Sequence, residues 1–177
     1  VSNGKILRKI AIIIAVLTIF AAVCVVCVGD GAAFAGGDGS SSNPYQITNA
    51  TELQSMKDYR NKYFILNNDI NCSSISNWTP IGSSSSAQFT GNLNGNGKKI
   101  YNLKINITGT STSDQYKGFI GYGGSGMNIH DVTFDNCTAS LYRRSGLVCG
   151  YCTGSGTRTF SNVTVSNCTI TAGSNSV

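Results

Sequence analysis

The chain has 177 residues, with 13 Lys and Arg against 8 Asp and Glu, and only 12% of it is charged. So sparse a charge, with no cluster of Lys and Arg interleaved with aromatics, excludes the footprint of a nucleic-acid-binding protein. Twenty-one glycines and two prolines in a chain rich in Ser, Thr and Asn point to many short strands separated by turns. The regular recurrence of Ile, Val and Phe argues against disorder.

The first 35 residues read as an export signal. Lys5, Arg8 and Lys9 form a basic start, and Ile10 to Val28 is apolar apart from Thr18. Ala33-Phe34-Ala35 then supplies a small-x-small cleavage pattern before Gly36. The run of 19 residues is also long enough to span a bilayer, so an uncleaved membrane anchor is the alternative. Beyond residue 35 the chain keeps ten of the 13 basic and seven of the 8 acidic residues.

Residues 36–43 read as a flexible leader, and Pro44-Tyr45-Gln46-Ile47 as a short extended entry. Asn49 with Glu52 three positions on has the spacing of a capping box, and Leu53 and Met56 recur at helical spacing. They predict one helix over residues 50–60, covering the open end of the first strands. Tyr63–Leu66 reads as a strand, Asn67-Asn68-Asp69 as a turn, and Ile70 as a restart. Residues 83–86 form a serine loop, and residues 89–93 a further strand candidate. Asn94-Gly95-Asn96-Gly97 supplies turn chemistry, because Gly and Asn tolerate positive φ.

From Ile100 onward a block recurs. Gly118-Phe119-Ile120-Gly121-Tyr122 returns as Gly146-Leu147-Val148-Cys149-Gly150-Tyr151, and Val132-Thr-Phe134-Asp-Asn136-Cys137-Thr138 as Val163-Thr-Val165-Ser-Asn167-Cys168-Thr169. A weaker copy, Ile100 to Thr108, precedes both. A period near 30 residues marks a stacked repeat, in which each unit buries its apolar face against its neighbours. Period-2 alternation with a phase slip at Asn136 and Asn167 describes a chain that runs as strand, turns a corner and runs as strand again. Val132, Phe134, Val163 and Val165 are therefore predicted to face one core, with Ile100, Leu103 and Ile105 one rung earlier. The last rung, residues 160–170, ends in Thr171 to Val177 without a capping pattern. It is expected to expose an apolar edge, to favour oligomers, and to continue in the natural gene.

The ordered set PYQI, ATELQ, YFILNNDI, NWTPIG, FTGNLNGNGKKIYNL, GFIGYG and IHDVTFDN resembles the Glug-motif family of bacterial and archaeal surface proteins. The resemblance covers most of residues 43–171. It implies an all-β fold, a right-handed parallel β-helix (β-solenoid) with a short N-terminal capping helix after the signal-peptide helix. It also implies an adhesin-like ectodomain and carries over no catalytic residue. The extra Cys149 before Gly150 leaves the register of the last rung open. The organisation is then residues 1–35 as signal peptide or anchor, 36–95 as leader, helix and first strands, and 96–177 as Glug-type repeats.

Five cysteines follow residue 36. Cys149 and Cys152 have CxxC spacing, open to a redox centre, half a zinc site or a local disulfide. No βαβ setting supports the first, and nothing in the spacing of Cys72, Cys137, Cys168 or His130 supplies further zinc ligands. For an exported protein a disulfide is the expected fate. Cys137 and Cys168 occupy equivalent repeat positions, ~4.8 Å apart if rungs pair in register; a disulfide or two small buried apolar residues are both open there. His130 is expected to face outward and away from Asp131. Asp131 and Asp135 are the nearest approach to paired catalytic acids, but they flank opposite ends of one strand without counterparts in the next copy. Tyr122 and Tyr151, with Tyr116, Tyr142, Arg143 and Arg144 nearby, are candidate surface-binding aromatics that stack on sugars, or else a tyrosine stack covering the rung turns. Sequons at Asn49, Asn71, Asn77, Asn106, Asn136, Asn162 and Asn167 accept glycans only where the host glycosylates.

These readings make the chain a secreted or cell-surface, non-catalytic segment without cofactor or metal. Its expected partners are a host or cell-surface glycan or protein, with the membrane reached only through residues 10–28. The alternative is the non-catalytic front part of a secreted peptidase or carbohydrate-active enzyme.

Overall fold

The computed structural model describes residues 33–109 and 111–172. The apolar run 10–28, and with it the signal or anchor reading, lies outside them. Among the described residues no helix is long and apolar enough to cross a membrane.

Twelve strands stack in parallel as a β-solenoid of about four turns. Strands β1 (Tyr45–Ile47), β2 (Tyr63–Leu66), β4 (Asn92–Asn94), the first half of β8 (Asn128–Asp135) and that of β11 (Thr159–Ser166) pair in this order. Beside them β3 (Ile70–Asn71), β5 (Lys99–Tyr101) and the second halves of β8 and β11 form the continuation of the same face. A separate face stacks β6 (Lys104–Asn106), β9 (Thr138–Leu141) and β12 (Thr169–Ala172). Another pairs β7 (Ile120–Gly123) with β10 (Cys149–Cys152). Tyr63, Asn92, Asn128 and Thr159 are register partners, so successive turns take 29, 36 and 31 residues.

The corners explain the interrupted alternation. Asn102, Asn136 and Asn167 all have φ near +50°, the left-handed region in which Asn is tolerated better than most side chains. Asn136 donates its amide to Asn102 Oδ1 at 2.7 Å, and Asn102 donates to Asn71 Oδ1 at 3.0 Å, so the corner residues also form a ladder along the stack. Asn96, Asp131 and Asn162 make a second left-handed corner, midway along the long face. Its mark in the sequence is the step of three from Ile129 to Val132, which leaves both residues inward only because the alternation slips between them.

Inward residues form one core. Ile100, Leu103, Ile105, Val132 and Phe134 are all at most 3% exposed, and burial of each such side chain stabilises by roughly 1.5–3 kcal/mol. Val163 is only partly buried and Val165 is exposed, so of the four residues expected to share the core the last-rung pair does not complete it. Trp78 fixes a turn to its neighbour by stacking on Phe119 and donating its indole N–H to the Phe119 carbonyl at 3.0 Å.

At the N-terminal end Asn49 caps helix α1 (Ala50–Ser55), accepting from the Glu52 N–H at 3.0 Å, and a 3-10 turn over Met56–Asp58 follows. Glu52 does not close a capping box on Asn49. Its carboxylate reaches one residue further back and accepts from the N–H and hydroxyl of Thr48. Leu53 and Met56 are fully buried, and Gln54 clamps the helix to both backbone groups of Thr79. The helix stands between β1 and β2 in the chain, so β1 and α1 together cover the first full turn. The segment 36–43 is not a flexible leader. It is an ordered turn, pinned by an antiparallel bridge from Gly36 to Gln46 and by the Asp38 and Asn43 hydrogen bonds. The folded unit begins at Ala33. Phe34 is 9% exposed and stacks on Tyr45 at 4.4 Å, with Tyr59 and Phe64 around it.

Candidate functional site

Strands β7 and β10 and the turn before β7 bring three tyrosines together. Tyr122 and Tyr151 are register partners on adjacent rungs. The Tyr116 ring lies 4.8 Å from each of them, at angles of 45° and 51°. Burial among these rings pushes the Tyr122 phenol above its ordinary pKa. Of the two candidate aromatics, Tyr122 is half-buried in the stack and Tyr151 keeps 36% exposure at its rim. They thus cover the rung turns and still leave one aromatic edge open.

At Cys149 the register is regular: Ile120, Tyr122 and Gly123 pair with Cys149, Tyr151 and Cys152, and the Ile120 N–H bonds the Val148 carbonyl as parallel pairing requires. The opening glycines, Gly118 and Gly146, stand one residue out of that register, so the extra residue is taken up between Gly146 and Cys149. The glycine that opens each copy is required by this packing, since a Cβ on Gly118 would lie 2.5 Å from the Gly146 carbonyl oxygen. Two residues before each of these glycines stand Tyr116 and Arg144, with φ of 59° and 51°. Left-handed backbone at such bulky residues costs of order 1–3 kcal/mol and is held by surrounding structure. The two equivalent residues meet: Arg144 donates to the Tyr116 hydroxyl at 2.6 Å, and its guanidinium lies 5.7 Å from that ring. An open cavity of about 520 Å³ adjoins them, lined by Thr112, Gln115, Tyr116, Arg143 and Arg144. Its lining holds two cations and no carboxylate. The signal for Tyr116 and Arg144 in the sequence was their shared position before the repeated glycine.

All five described cysteines are free thiols. Cys149 and Cys152 approach to 3.5 Å between sulfurs. Burial, with Cys152 beside it, pushes the Cys149 thiol up to about 12. Cys137 and Cys168 stack on adjacent rungs as their repeat positions require, the Cys137 N–H pointing at Cys168 Sγ at 3.3 Å. Burial raises Cys137 to about 12 as well, and likewise the fully buried Cys72. Thiols held this far up are protonated at neutral pH, the opposite of an activated nucleophile.

His130 does not turn away from Asp131. Left-handed backbone at Asp131 breaks the alternation, and the His130 Nδ1 and Asp131 Oδ2 atoms meet at 2.7 Å. That hydrogen bond, and a second from Asn162, hold the Asp131 carboxyl below its usual range. Asp135 is lowered likewise, first by Asn167 and then by Lys99. Neither carboxyl is poised to donate a proton. Among the described residues no three His, Cys, Asp or Glu side chains converge as a metal site would need. Several sequon amides are committed as well: Asn77, Asn136, Asn162 and Asn167 each donate to a neighbouring rung.

No known family profile matches the chain. It is 29% identical over 141 residues to "Halomucin" of Haloquadratum walsbyi, an overlap of 73% of this chain and 2% of that protein. It is 30% identical over 162 residues to a "Putative Gly-rich membrane protein" of Evansella cellulosilytica, covering 88% of this chain and 18% of the relative. The chain therefore spans a small fraction of the curated relatives it matches. A crystal structure titled "putative immunoglobulin A1 protease", from Bacteroides ovatus, superposes with a TM-score of 0.52 at 19% identity, covering 78% of this chain and 51% of that one. At that identity the likeness is one of fold.

Proposed function

We propose that the chain is part of an exported, non-catalytic surface protein, a Glug-type, adhesin-like β-solenoid that presents side chains from a rigid stack, with residues 10–28 retained as its membrane anchor. The observation that carries this reading is Phe34. It belongs to the closing aromatic cluster of the folded unit, so cleavage before Gly36 would strip a core residue from the solenoid. A stack that begins directly after an apolar run of spanning length suits a domain displayed at a membrane. The names of the relatives, a halomucin and a membrane protein, agree with it. Export would also place Cys149 and Cys152 where a disulfide forms and persists.

The test is expression of the full chain in a bacterial host, with fractionation, intact mass and protease shaving of whole cells. Full-length protein in the membrane fraction, shaved from outside, is expected, with a mass lower by two hydrogens for each closed disulfide. A product starting at Gly36 in the medium would make it a secreted protein, and accumulation in the cytoplasm would end the surface reading. A second reading, the non-catalytic front part of a secreted peptidase, draws on the fold shared with the Bacteroides ovatus chain. It predicts a catalytic module on the same polypeptide, which the sequence of the whole gene would reveal.

A further inference from the structure

We infer that the cavity beside Tyr116 and Arg144 is a binding site for a carboxylate-bearing sugar, a uronic or sialic acid residue of a surface glycan. This deepens the proposed surface role by naming a ligand class. Three observations converge on it. Two equivalent loop residues, Tyr116 and Arg144, both adopt left-handed backbone, a conformation the corners of the described strands give to Asn and Asp. Elsewhere such strain at bulky residues marks positions held for a purpose beyond packing. The guanidinium that results is exposed and spends a donor on a neutral phenol rather than on a carboxylate. The ion pairs found among the described residues, Lys57–Asp58, Lys99–Asp135 and His130–Asp131, do not involve it. Finally, the lining combines aromatic, amide, hydroxyl and cationic groups around about 520 Å³, with Tyr151 open at the rim of the same ring cluster.

The chemistry follows from those groups. A planar guanidinium presents paired N–H donors that match a carboxylate, and the hydrogen bond to Tyr116 fixes its direction in advance. Gln115 and Thr112 offer donors and acceptors to ring hydroxyls. The exposed Tyr151 edge suits the apolar face of a pyranose. The acid of the loop that carries Thr112 and Gln115, Asp114, is engaged by the Ser111 N–H and hydroxyl and is held below its usual pKa by them, so it is occupied within its own turn. A neutral sugar would leave the guanidinium without its counter-charge.

The experiment is titration calorimetry on the full 177-residue chain in detergent, with a galacturonic acid trisaccharide, 3′-sialyllactose, neutral galactotriose and sodium sulfate as probes. Either acidic sugar is expected to bind at least about tenfold more tightly than galactotriose, the margin that one charge-assisted hydrogen bond supplies. The tighter of the two assigns the source. R144Q should erase the preference, R144K should retain only part of it, and Y151S should weaken all sugars alike. Y116F keeps the ring and releases the guanidinium, so it should lower the acidic preference alone. Arg144 is exposed, and unchanged thermal midpoints will show that these variants fold. Equal binding of neutral and acidic sugars, a preference unchanged in R144Q, or displacement by sulfate at equal concentration would each overturn the proposal. The measurement is made on purified protein, so its failure leaves the anchored solenoid standing, and failure of the localisation test leaves this site standing.

Discussion

The two ends of the solenoid are built from the same kinds of residue and treat them in opposite ways. At the N-terminal end Phe34, Tyr45, Tyr59 and Phe64 close over one another, α1 inserts Leu53 and Met56, and Gly36 bridges to Gln46. At the last described rung nothing of the kind occurs. Phe160, Val165 and Ile170 are 43%, 47% and 53% exposed, whereas their register partners Ile129, Phe134 and Ala139 are 0%, 0% and 2% exposed. The sequence pattern of the two rungs is the same. Burial in a stacked fold is thus conferred by the neighbouring turn and not by the residue, which is the physical meaning of quasi-one-dimensional stability.

The sharpest way to break that comparison is a matched pair of truncations. Phe134→Ala opens a cavity with turns on both sides and should cost about 3–5 kcal/mol. Phe160→Ala removes a half-exposed ring from the open rung and should cost about 1 kcal/mol or less. Urea unfolding of both variants checks this. Similar losses would show that the last rung is covered in solution.

The open rung should also govern association. Unpaired strand edges with apolar side chains template pairing with another chain. Light scattering on the full chain in detergent should therefore show a mass that rises with concentration. V165K combined with I170K should suppress the rise without lowering the thermal midpoint. A concentration-independent monomer in the unaltered chain would make the exposed edge inert.

At the closed end the expected effect is smaller. Asn49→Ala leaves the Glu52 N–H without its cap and should destabilise by about 1 kcal/mol. Glu52→Gln tests the reach to Thr48, which a capping box on Asn49 would not involve. If N49A unfolds with no change in midpoint, the helix is held by Leu53 and Met56 alone.

The sequence made the stack legible because repetition survives in a chain of short strands. The paired copies placed Val132 and Phe134 inside, placed Asn136 and Asn167 at corners, and set Cys137 above Cys168. It showed less where geometry depends on one backbone angle. The left-handed turn at Asp131 lies inside a continuous strand, and it brought His130 onto a carboxylate that ordinary alternation would have kept apart. The turn 36–43 looked flexible because Gly and Ser carry no packing signal, yet its order comes from backbone bonds to residues 43 and 46. Of the candidate site, Tyr122 and Tyr151 stood out by motif. Tyr116 and Arg144 share a position two residues before a repeated glycine, but that position alone does not announce that their side chains meet across the loops.

The smallest effect is the one that acid should draw from the boundary between inner and outer rungs. Asp135 sits on an inner strand, and Asn167 of the open rung is the first cause of its lowered pKa, with Lys99 of the preceding turn the second. A carboxyl lowered in the folded state contributes stability that is fully present above its unfolded value, near 3.8, and is lost as pH falls through the folded value. Lys99 is raised by Asp135, so its share persists from neutral pH up to its unfolded value and fades only as pH rises through the folded one. Between those limits this pair should leave stability flat. As pH falls below 3.8 and on through the lowered folded value, Asp135 takes up its proton and ceases to hold Asn167 through a charged acceptor, and Asp131, lowered likewise, loosens Asn162 in the same way. Both released partners lie on the last rung. Hydrogen exchange at pH 3 should therefore accelerate over residues 159–172 before it changes over residues 99–106. Asp135→Asn should remove most of that acid sensitivity while leaving exchange at pH 6 within about twofold of the unaltered chain. Acceleration spread evenly over both segments would mean that the outer rung is not held through these carboxylates, and that the asymmetry between the two ends is one of packing alone.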